Sequence, residues 1–274
     1  MIWIAGIVPA MMLFWVFLVF PGRSSQEQRA PFEKRAFAHR GLYEPDQSVP
    51  ENSLAAFRRA AEAGFGAELD VQLTKDGRVV VFHDDDLKRA CGQEGGISDY
   101  TLAELREFRL FQTEERIPLF SDVLRVFGGR LPLIVEIKRC PGAKELCAAV
   151  REQLAAYPGP ACVESFDPLI VFDFRRNDPE RLRGQLTQPF ACYRGLMPPV
   201  PGWLLSRLFF NAAARPHFIA CRLGPRPLSV RLCEVLGAMK VCWTAREAEK
   251  HEERMRENDA VIFEAYLPGN GRAS

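Results

Sequence analysis

Short apolar runs alternate with longer stretches of helical periodicity along most of this chain. The short runs are rich in Val, Ile, Leu and Phe and are bounded by turn-forming or charged residues, which is typical of buried strands. They predict strands at residues 36–39, 67–71, 79–82, 133–138, 162–166, 183–187, 218–223, 241–244 and 261–264. The longer stretches predict helices at residues 53–63, 102–108, 121–127, 143–157, 169–176, 203–213, 228–236 and 247–258.

The run at 79–82 is the one predicted strand that no helix separates from the strand before it. Its link is Lys75-Asp76-Gly77-Arg78, and the Asp-Gly pair supplies the positive φ that a tight hairpin needs. The remaining eight strands alternate with helices, which is the pattern of eight parallel strands closed into a barrel. We therefore expect an α/β fold, a TIM (β/α)₈ barrel with a hairpin inserted after strand 2.

The first twenty residues contain no charged side chain and are dense in large apolar residues. Twenty helical residues span about 30 Å, the hydrocarbon thickness of a bilayer. We expect a transmembrane helix at 1–21, a polar linker at 22–35 and the barrel domain at 36–274. A signal peptide is the alternative, but the basic n-region and a small-x-small cleavage site are missing. Positive charges that follow the span predict a single-pass membrane protein with the barrel on the cytoplasmic side.

Composition narrows the range of partners. A length of 274 residues suits one barrel. A formal net charge of +1 at pH 7 gives no strong electrostatic field that would attract nucleic acid, so no nucleic-acid partner is expected.

Cys162, Cys221 and Cys242 lie inside predicted strands, and no cysteine pair has zinc-type spacing. The cysteines are therefore expected to be free thiols, most of them buried.

Several polar side chains fall at or near the C-terminal ends of predicted strands, the end at which barrel enzymes keep their chemistry. They are His39, Glu68, Asp70, Glu136, Lys138 and Glu164. Glu68 and Asp70 are two residues apart in one strand and therefore point to the same face, as do Glu136 and Lys138. Three carboxylates without a thiol favour Mg²⁺ or Ca²⁺ as a cofactor. The alternative is a salt bridge inside the barrel between Lys138 and Glu136 or Glu68.

Two histidines complete the candidate chemistry. If Thr74 pairs with Val79 in the hairpin, antiparallel counting places His83 across from Asp70. His39 is followed by Arg40, which combines an acid/base group with a bidentate anion clamp. Two imidazoles near one cation suit in-line displacement at phosphorus, because one can accept a proton from the nucleophile and the other can donate to the departing oxygen.

An ordered series of motifs resembles the glycerophosphodiester phosphodiesterase family of the phospholipase C-like phosphodiesterases. The motifs are His39-Arg40-Gly41, Glu51-Asn52, Glu68-Leu69-Asp70-Val71, Thr74-Lys75-Asp76-Gly77, His83-Asp84, Glu136-Ile137-Lys138, Glu164-Ser165-Phe166 and Trp243-Thr244. The resemblance implies metal-dependent cleavage of a glycerophosphodiester to glycerol 3-phosphate and an alcohol. The attacking group stays open between water and the 2-hydroxyl of glycerol. Ala245-Arg246 and Glu264 depart from the family pattern and bear on substrate preference.

The resemblance also implies roles for individual residues. His39 and His83 are expected as the catalytic acid/base pair, and Glu68, Asp70 and Glu136 as the metal ligands. Substrate binding is expected from Arg40 and Lys138 on the phosphate, from Trp243 on the glycerol, and from Glu164 and Phe166.

Two further functions remain open from the sequence. The first is a lysophospholipase D-type or phosphoinositide phospholipase C-like lipase. It would act on membrane-derived diesters through the apolar loop at 188–217, and the partners would be a small or lipid-derived substrate and the membrane. The second is a catalytically silent, membrane-anchored barrel that binds phosphodiesters. The intact set of histidines and carboxylates favours an enzyme.

Overall fold

The computed structural model describes residues 2–269, with side chains from residue 7 onward; Met1 of the predicted span and residues 270–274 of the predicted domain lie outside it. The strands are β1 (Arg35–His39), β2 (Gly66–Leu73), β3 (Val79–Val81), β4 (Leu133–Ile137), β5 (Ala161–Ser165), β6 (Arg183–Thr187), β7 (Phe218–Arg222), β8 (Met239–Ala245) and β9 (Ala260–Phe263).

Eight of these strands close into a parallel barrel. Neighbours pair in the order β1-β2-β4-β5-β6-β7-β8-β9, and β9 pairs with β1 to complete the ring. Strand β3 lies outside the ring, antiparallel to β2. The predicted (β/α)₈ barrel with a hairpin after strand 2 is confirmed.

Helices precede the first strand and connect the later ones. They are α1 (Ile2–Val19), α2 (Gln26–Arg29), α3 (Leu54–Glu62), α4 (Lys88–Cys91), α5 (Leu102–Leu105), α6 (Phe120–Phe127), α7 (Ala143–Ala155), α8 (Pro168–Asn177), α9 (Pro199–Ser206), α10 (Asn211–Ala214), α11 (Leu228–Val235) and α12 (His251–Glu257). The helix predicted at 203–213 is wrong, because Leu208 has a φ of 59° and separates α9 from α10. Such a left-handed residue cannot continue a right-handed helix.

Large apolar side chains fill the lower barrel interior. Phe37, Ile134, Phe218 and Ile262 belong to one buried cluster there. Gly184 lies opposite Phe218 in the neighbouring strand, and a Cβ at Gly184 would come within 2.0 Å of the Phe218 ring. Glycine at this position therefore leaves room for the Phe218 ring. The polar residues lie above this layer, at the C-terminal ends of the strands.

The hairpin register differs by one residue from the prediction. Leu73 pairs with Val79 and Val71 with Val81, while Phe82 N–H donates to Asp70 C=O at 2.9 Å. Thr74 N–H donates to the carbonyl of Arg78, so Thr74 belongs to the turn and does not pair with Val79. His83 therefore lies one position beyond Asp70.

The segment at 22–35, predicted as a structureless linker, packs against the N-terminal end of the barrel. Helix α2 begins with a capping box at Ser25, and Arg29 donates to the carbonyl of Gly237 at 2.7 Å. Phe32 is buried, with its ring stacked on Phe37 at 6.1 Å between centroids. The segment thus closes the end of the barrel opposite the predicted site.

The predicted transmembrane helix is wrong. Within residues 2–269, no helix combines the length and apolar character needed to cross a bilayer. Helix α1 has 18 residues and spans about 27 Å. Its C-terminal end docks on the barrel: Val19 is buried with Leu208 and Ile219, and Arg215 donates to the carbonyl of Phe17 at 2.9 Å. The cytoplasmic orientation inferred from that span loses its basis with it.

Candidate active site

Strand register brings acidic side chains from three neighbouring strands to one level of the barrel. Asp70 of β2 pairs with Glu136 of β4, and Glu136 pairs with Glu164 of β5. One level lower, His39 at the end of β1 pairs with Glu68 of β2. The apolar residues between them, such as Leu69, face the surrounding helices, so alternation along β2 sends both carboxylates into the barrel.

Glu68, Asp70 and Glu136 form a buried triad in which one oxygen from each lies within 4.8 Å of the others. Burial raises the pKa of Glu68 well above its usual range, and the charges of Asp70 and Glu136 add to that rise. Burial also raises the pKa of Glu136, although Lys138 opposes this. The triad therefore holds negative charge at a high electrostatic cost, which a positive ion would relieve.

Asp70 differs from its two neighbours because cationic and polar groups surround it. Burial would raise its pKa, but His83, Lys138 and Arg40 outweigh burial and hold the pKa well below its usual range. Lys138 Nζ lies 3.4 Å from Asp70 Oδ1, and Asn52 donates to Oδ2 at 2.9 Å. Oδ1 itself accepts no hydrogen bond from the described residues. This buried, unsatisfied oxygen fits a hard-cation ligand, and the oxygen-only triad fits Mg²⁺ or Ca²⁺.

His39 is held in one orientation by Glu264, the residue that follows β9. The Nδ1 atom of His39 contacts Glu264 Oε2, and Tyr43 donates to the same oxygen at 2.9 Å. Burial opposes ionisation of Glu264, but His39, Tyr43 and Arg246 lower its pKa to about 2. Burial lowers the pKa of His39 against the raising effect of Glu264. A neutral imidazole with Nδ1–H on Glu264 leaves Nε2 directed inward, 3.8 Å from Glu68 Oε2.

His83 stands on the other side of the triad, in the loop after β3. Its Nδ1 atom contacts Asp84 Oδ1 at 2.7 Å. Gln72 of β2 donates to the carbonyls of Phe82 and Asp84, at 3.0 and 2.8 Å, and so fixes the loop on both sides of His83. Each histidine therefore has one ring nitrogen bound to a carboxylate, which determines how the other nitrogen faces the cavity.

A cavity of about 560 Å³ opens above these groups, within the range of small-molecule sites. Both histidines line it. Phe166 and Trp243 form an edge-to-face pair on its wall, with centroids 5.7 Å apart. Trp243 Nε1 donates to the carbonyl of Ala220 at 3.0 Å, so the indole is fixed in place. The apolar wall and the charged floor suit a ligand with a neutral part and an anionic part.

Comparison with known proteins decides the family. A model of the glycerophosphoryl diester phosphodiesterase family matches residues 39–194. A glycerophosphodiester phosphodiesterase of Caldanaerobacter subterraneus subsp. tengcongensis is 32% identical over 239 residues, which cover 82% of this chain and 91% of that protein. The chain belongs to the glycerophosphoryl diester phosphodiesterase family. The predicted enzyme class, a phosphoric diester hydrolase, is confirmed.

Solved structures share the family fold. A glycerophosphodiester phosphodiesterase from Thermotoga maritima is 27% identical with a TM-score of 0.62, and the match covers 83% of this chain and 93% of that one. A phosphodiesterase from Oleispira antarctica, solved in complex with the product sn-glycerol-3-phosphate, is 24% identical with a TM-score of 0.67. That match covers 84% of this chain and 92% of the other, and it supports the barrel assignment.

All the residues that the sequence predicts for the site lie close together in the structure. All but Asp70 and Lys138 line the cavity, and those two touch residues that do. Lys138 Nζ lies 3.0 Å from Glu136, so the predicted salt bridge and the predicted carboxylate cluster occur together. Glu164 is buried, and its Oε2 has no hydrogen-bond partner among the described residues. The role of each residue stays a prediction.

The structure adds three residues to the site for which the sequence predicts no role: Glu51, Asn52 and Arg89. Asn52 looks like a helix cap by its position, but Ser53 caps α3, and Asn52, with a φ of 55°, turns back to Asp70. Glu51 binds Arg40 at 2.7 Å and Arg89 at 2.6 Å. Glu51 and Asn52 form one of the sequence motifs, which is the signal that could have marked them. Nothing in the sequence around Arg89 distinguishes it from other surface arginines.

Proposed function

We propose that this chain hydrolyses glycerophosphodiesters to sn-glycerol 3-phosphate and an alcohol in a divalent-cation-dependent reaction. The observation that carries the proposal is the convergence of two carboxylate-bound histidines on one buried carboxylate triad, at the floor of a single cavity. The name and 32% identity of the Caldanaerobacter relative support the substrate class.

Glu68, Asp70 and Glu136 would hold the cation. When bound, Mg²⁺ or Ca²⁺ would supply positive charge for the phosphate oxygens at this point. Arg40 and Lys138 flank the triad and bind the phosphate. Burial lowers the pKa of Lys138, but Glu136 and Asp70 outweigh burial and raise it, so the ammonium stays charged. An anionic diester is therefore drawn to the floor of the cavity.

His39 acts as the general base. The Glu264 carboxylate fixes the proton on Nδ1, and Nε2 is left with a lone pair directed into the site. Burial lowers the pKa of His39, so the neutral form that a base requires is present near neutral pH. The ionised Glu264 then stabilises the imidazolium that forms when Nε2 takes the proton of the nucleophile.

His83 acts as the general acid toward the departing alcohol. Burial would raise the pKa of Asp84, but its contacts with His83 and Arg89 hold that pKa well below the usual range. The ionised Asp84 binds Nδ1 of His83 and so orients the other ring nitrogen to the leaving oxygen. Trp243 and Phe166 contact the carbon face of glycerol, and Glu164 hydrogen-bonds its hydroxyls.

The test is product analysis with the full chain. Glycerophosphocholine, glycerophosphoethanolamine and a lysophospholipid are incubated with Mg²⁺, Ca²⁺ or EDTA, and sn-glycerol 3-phosphate is measured. We expect release from the two water-soluble diesters with a cation, and loss of about 100-fold or more in His39→Ala and His83→Ala. Phosphorus NMR separates this product from the cyclic phosphate of a phospholipase C-like reaction. Hydrolysis that is unchanged in both histidine variants would refute the assignment.

A further inference from the structure

Arg89 of α4 joins the neighbouring carboxylates of Glu51 and Asp84. Its Nε and Nη2 atoms donate to Asp84 at 2.7 and 3.0 Å. Its Nη2 and Nη1 atoms donate to Glu51 at 2.6 and 3.3 Å. One guanidinium thus makes a two-pronged contact with each of two acids, a geometry that lysine cannot reproduce. The Phe111 ring lies 5.2 Å from the guanidinium carbon and supports it from one face.

The two acids also bind two residues that the proposed function uses, the general acid His83 and the phosphate-binding Arg40. Asp84 Oδ1, which accepts from Arg89, also binds His83 Nδ1 at 2.7 Å. Glu51 Oε1, which accepts from Arg89, also binds Arg40 Nη1 at 2.7 Å. A continuous path of short polar contacts therefore runs from His83 through Asp84, Arg89 and Glu51 to Arg40. Arg89 itself is not among the residues that line the cavity.

Stability alone does not account for this arrangement. The Arg89 side chain is 47% exposed, and exposed ion pairs contribute only about 0–1 kcal/mol. A metal ion among Glu51, His83 and Asp84 is a second reading, since donor atoms of these three residues lie within 4.8 Å of one another. The Arg89 guanidinium already bridges the two acids and supplies the positive charge there. The cluster is therefore complete without an ion.

The geometry points to Arg89 as a positioning residue that fixes His83 through Asp84 and Arg40 through Glu51, so that the general acid and the phosphate clamp keep one relative placement. The inference rests on the proposed function. Without Arg89, Asp84 and Glu51 repel each other and are free to turn toward solvent, so His83 loses its orientation. Arg40 keeps Glu51 as a partner but loses the anchor behind it.

The experiment compares kcat and KM for glycerophosphocholine in the full chain and in Arg89→Gln. We expect kcat to fall about 10-fold or more, the scale on which residues that orient active groups act. Arg109→Gln is the matched control, because Arg109 makes an exposed ion pair with Glu114 at 2.6 Å, away from the cavity. Its kcat should stay unchanged. Arg89→Lys restores a charge without the fork and should recover only part of the rate.

A double-mutant cycle separates positioning from a general loss of folding. If Arg89 acts through Asp84, the loss in Arg89→Gln/Asp84→Asn is smaller than the product of the two single losses. Guanidinium ion added at non-denaturing concentration should restore activity to Arg89→Ala and leave the control unaffected. An unchanged kcat in Arg89→Gln, or strict additivity without rescue, would overturn the inference. Absence of sn-glycerol 3-phosphate release by the unsubstituted chain would instead refute the proposed function.

Discussion

The carboxylates of this site have different pKa shifts because their neighbours differ. Glu68 and Asp70 are both buried and only two positions apart, yet the pKa of Glu68 is raised and that of Asp70 is lowered. Acidic groups dominate around Glu68, whereas cationic groups dominate around Asp70. The sequence predicts that both carboxylates face inward, since that follows from strand alternation. It does not predict the opposite pKa shifts of the two carboxylates, which depend on residues that follow other strands.

At the residue scale, Glu264→Gln tests the proposed orientation of His39. The amide can no longer stabilise an imidazolium, and its NH₂ group competes with the Nδ1 proton, so we expect kcat to fall about 100-fold with little change in thermal stability. Glu264→Asp retains a carboxylate and should lose less. Tyr43→Phe removes one hydrogen bond to Glu264 and serves as the milder control. Steady-state kinetics on glycerophosphocholine provide the measurement, and an unchanged kcat in Glu264→Gln would exclude Glu264 as a partner in catalysis.

Motifs that are local in sequence were predictable, and contacts between distant residues were not. His39, Glu68 and Glu136 could be placed because each ends or lies within an apolar run. The contact of His39 with Glu264 joins residues separated by 225 positions, and it exists only because β9 pairs with β1 to close the ring. No local pattern carries that information.

At the scale of elements, the strands were predicted well and the N-terminal segments were not. The strand at Arg183–Thr187 has the predicted bounds, and the other strands agree within a few residues, since apolar runs bounded by turn residues determine them. The segment at 22–35 is polar in sequence, yet it docks through Phe32 and through hydrogen bonds to distant loops. Tertiary packing of this kind overrides local composition.

Phe32→Ala measures how much the segment at 22–35 contributes to the fold. Phe32 is 5% exposed and stacked on Phe37, so its removal should lower the free energy of unfolding by about 3 kcal/mol. Phe14 of α1 is 61% exposed, and Phe14→Ala should change it by less than about 0.5 kcal/mol. Urea denaturation of the full chain distinguishes the two. Equal, small effects would mean that the segment is the free linker that the sequence predicts.

His217, at the N-terminal end of β7, should make the fold sensitive to acid. Burial lowers its folded-state pKa to about 3, with Arg183 and Arg29 adding to the effect, whereas an unfolded histidine titrates near 6.5. The unfolded chain therefore binds more protons below pH 6.5, and the free energy of unfolding falls as the pH drops toward 3.

The neutral variant His217→Asn lacks this proton uptake and can still accept the hydrogen bond of Arg183 N–H. Its stability relative to the unsubstituted chain should rise below pH 6.5, by at most about 1.4 kcal/mol per pH unit. Urea denaturation at a series of pH values between 7 and 4 gives the difference. A difference that does not vary with pH would show that His217 takes up its proton in the folded state.

At the scale of the whole molecule, the barrel explains why so much was visible in the sequence. Strands and helices alternate along the chain, and setting aside the hairpin strand β3 leaves eight parallel strands. The C-terminal ends of these strands must lie at one end of the barrel. The transmembrane helix predicted for the first twenty residues was wrong, and that prediction came from hydropathy and length. Hydropathy alone predicted a span, but it does not show that Val19, at the end of α1, packs against Leu208 and against Ile219 of β7.

We propose that diester hydrolysis between His39 and His83 requires a divalent cation at Glu68, Asp70 and Glu136. The most direct test is the rate of sn-glycerol 3-phosphate release from glycerophosphocholine by the EDTA-treated full chain as Mg²⁺ or Ca²⁺ is added back. We expect no release above background without a cation and a saturable return of the rate when it is added. Glu136→Gln should need at least about 10-fold more cation for half-saturation. A full rate in EDTA, or the same half-saturation in Glu136→Gln, would show that these carboxylates hold no essential cation.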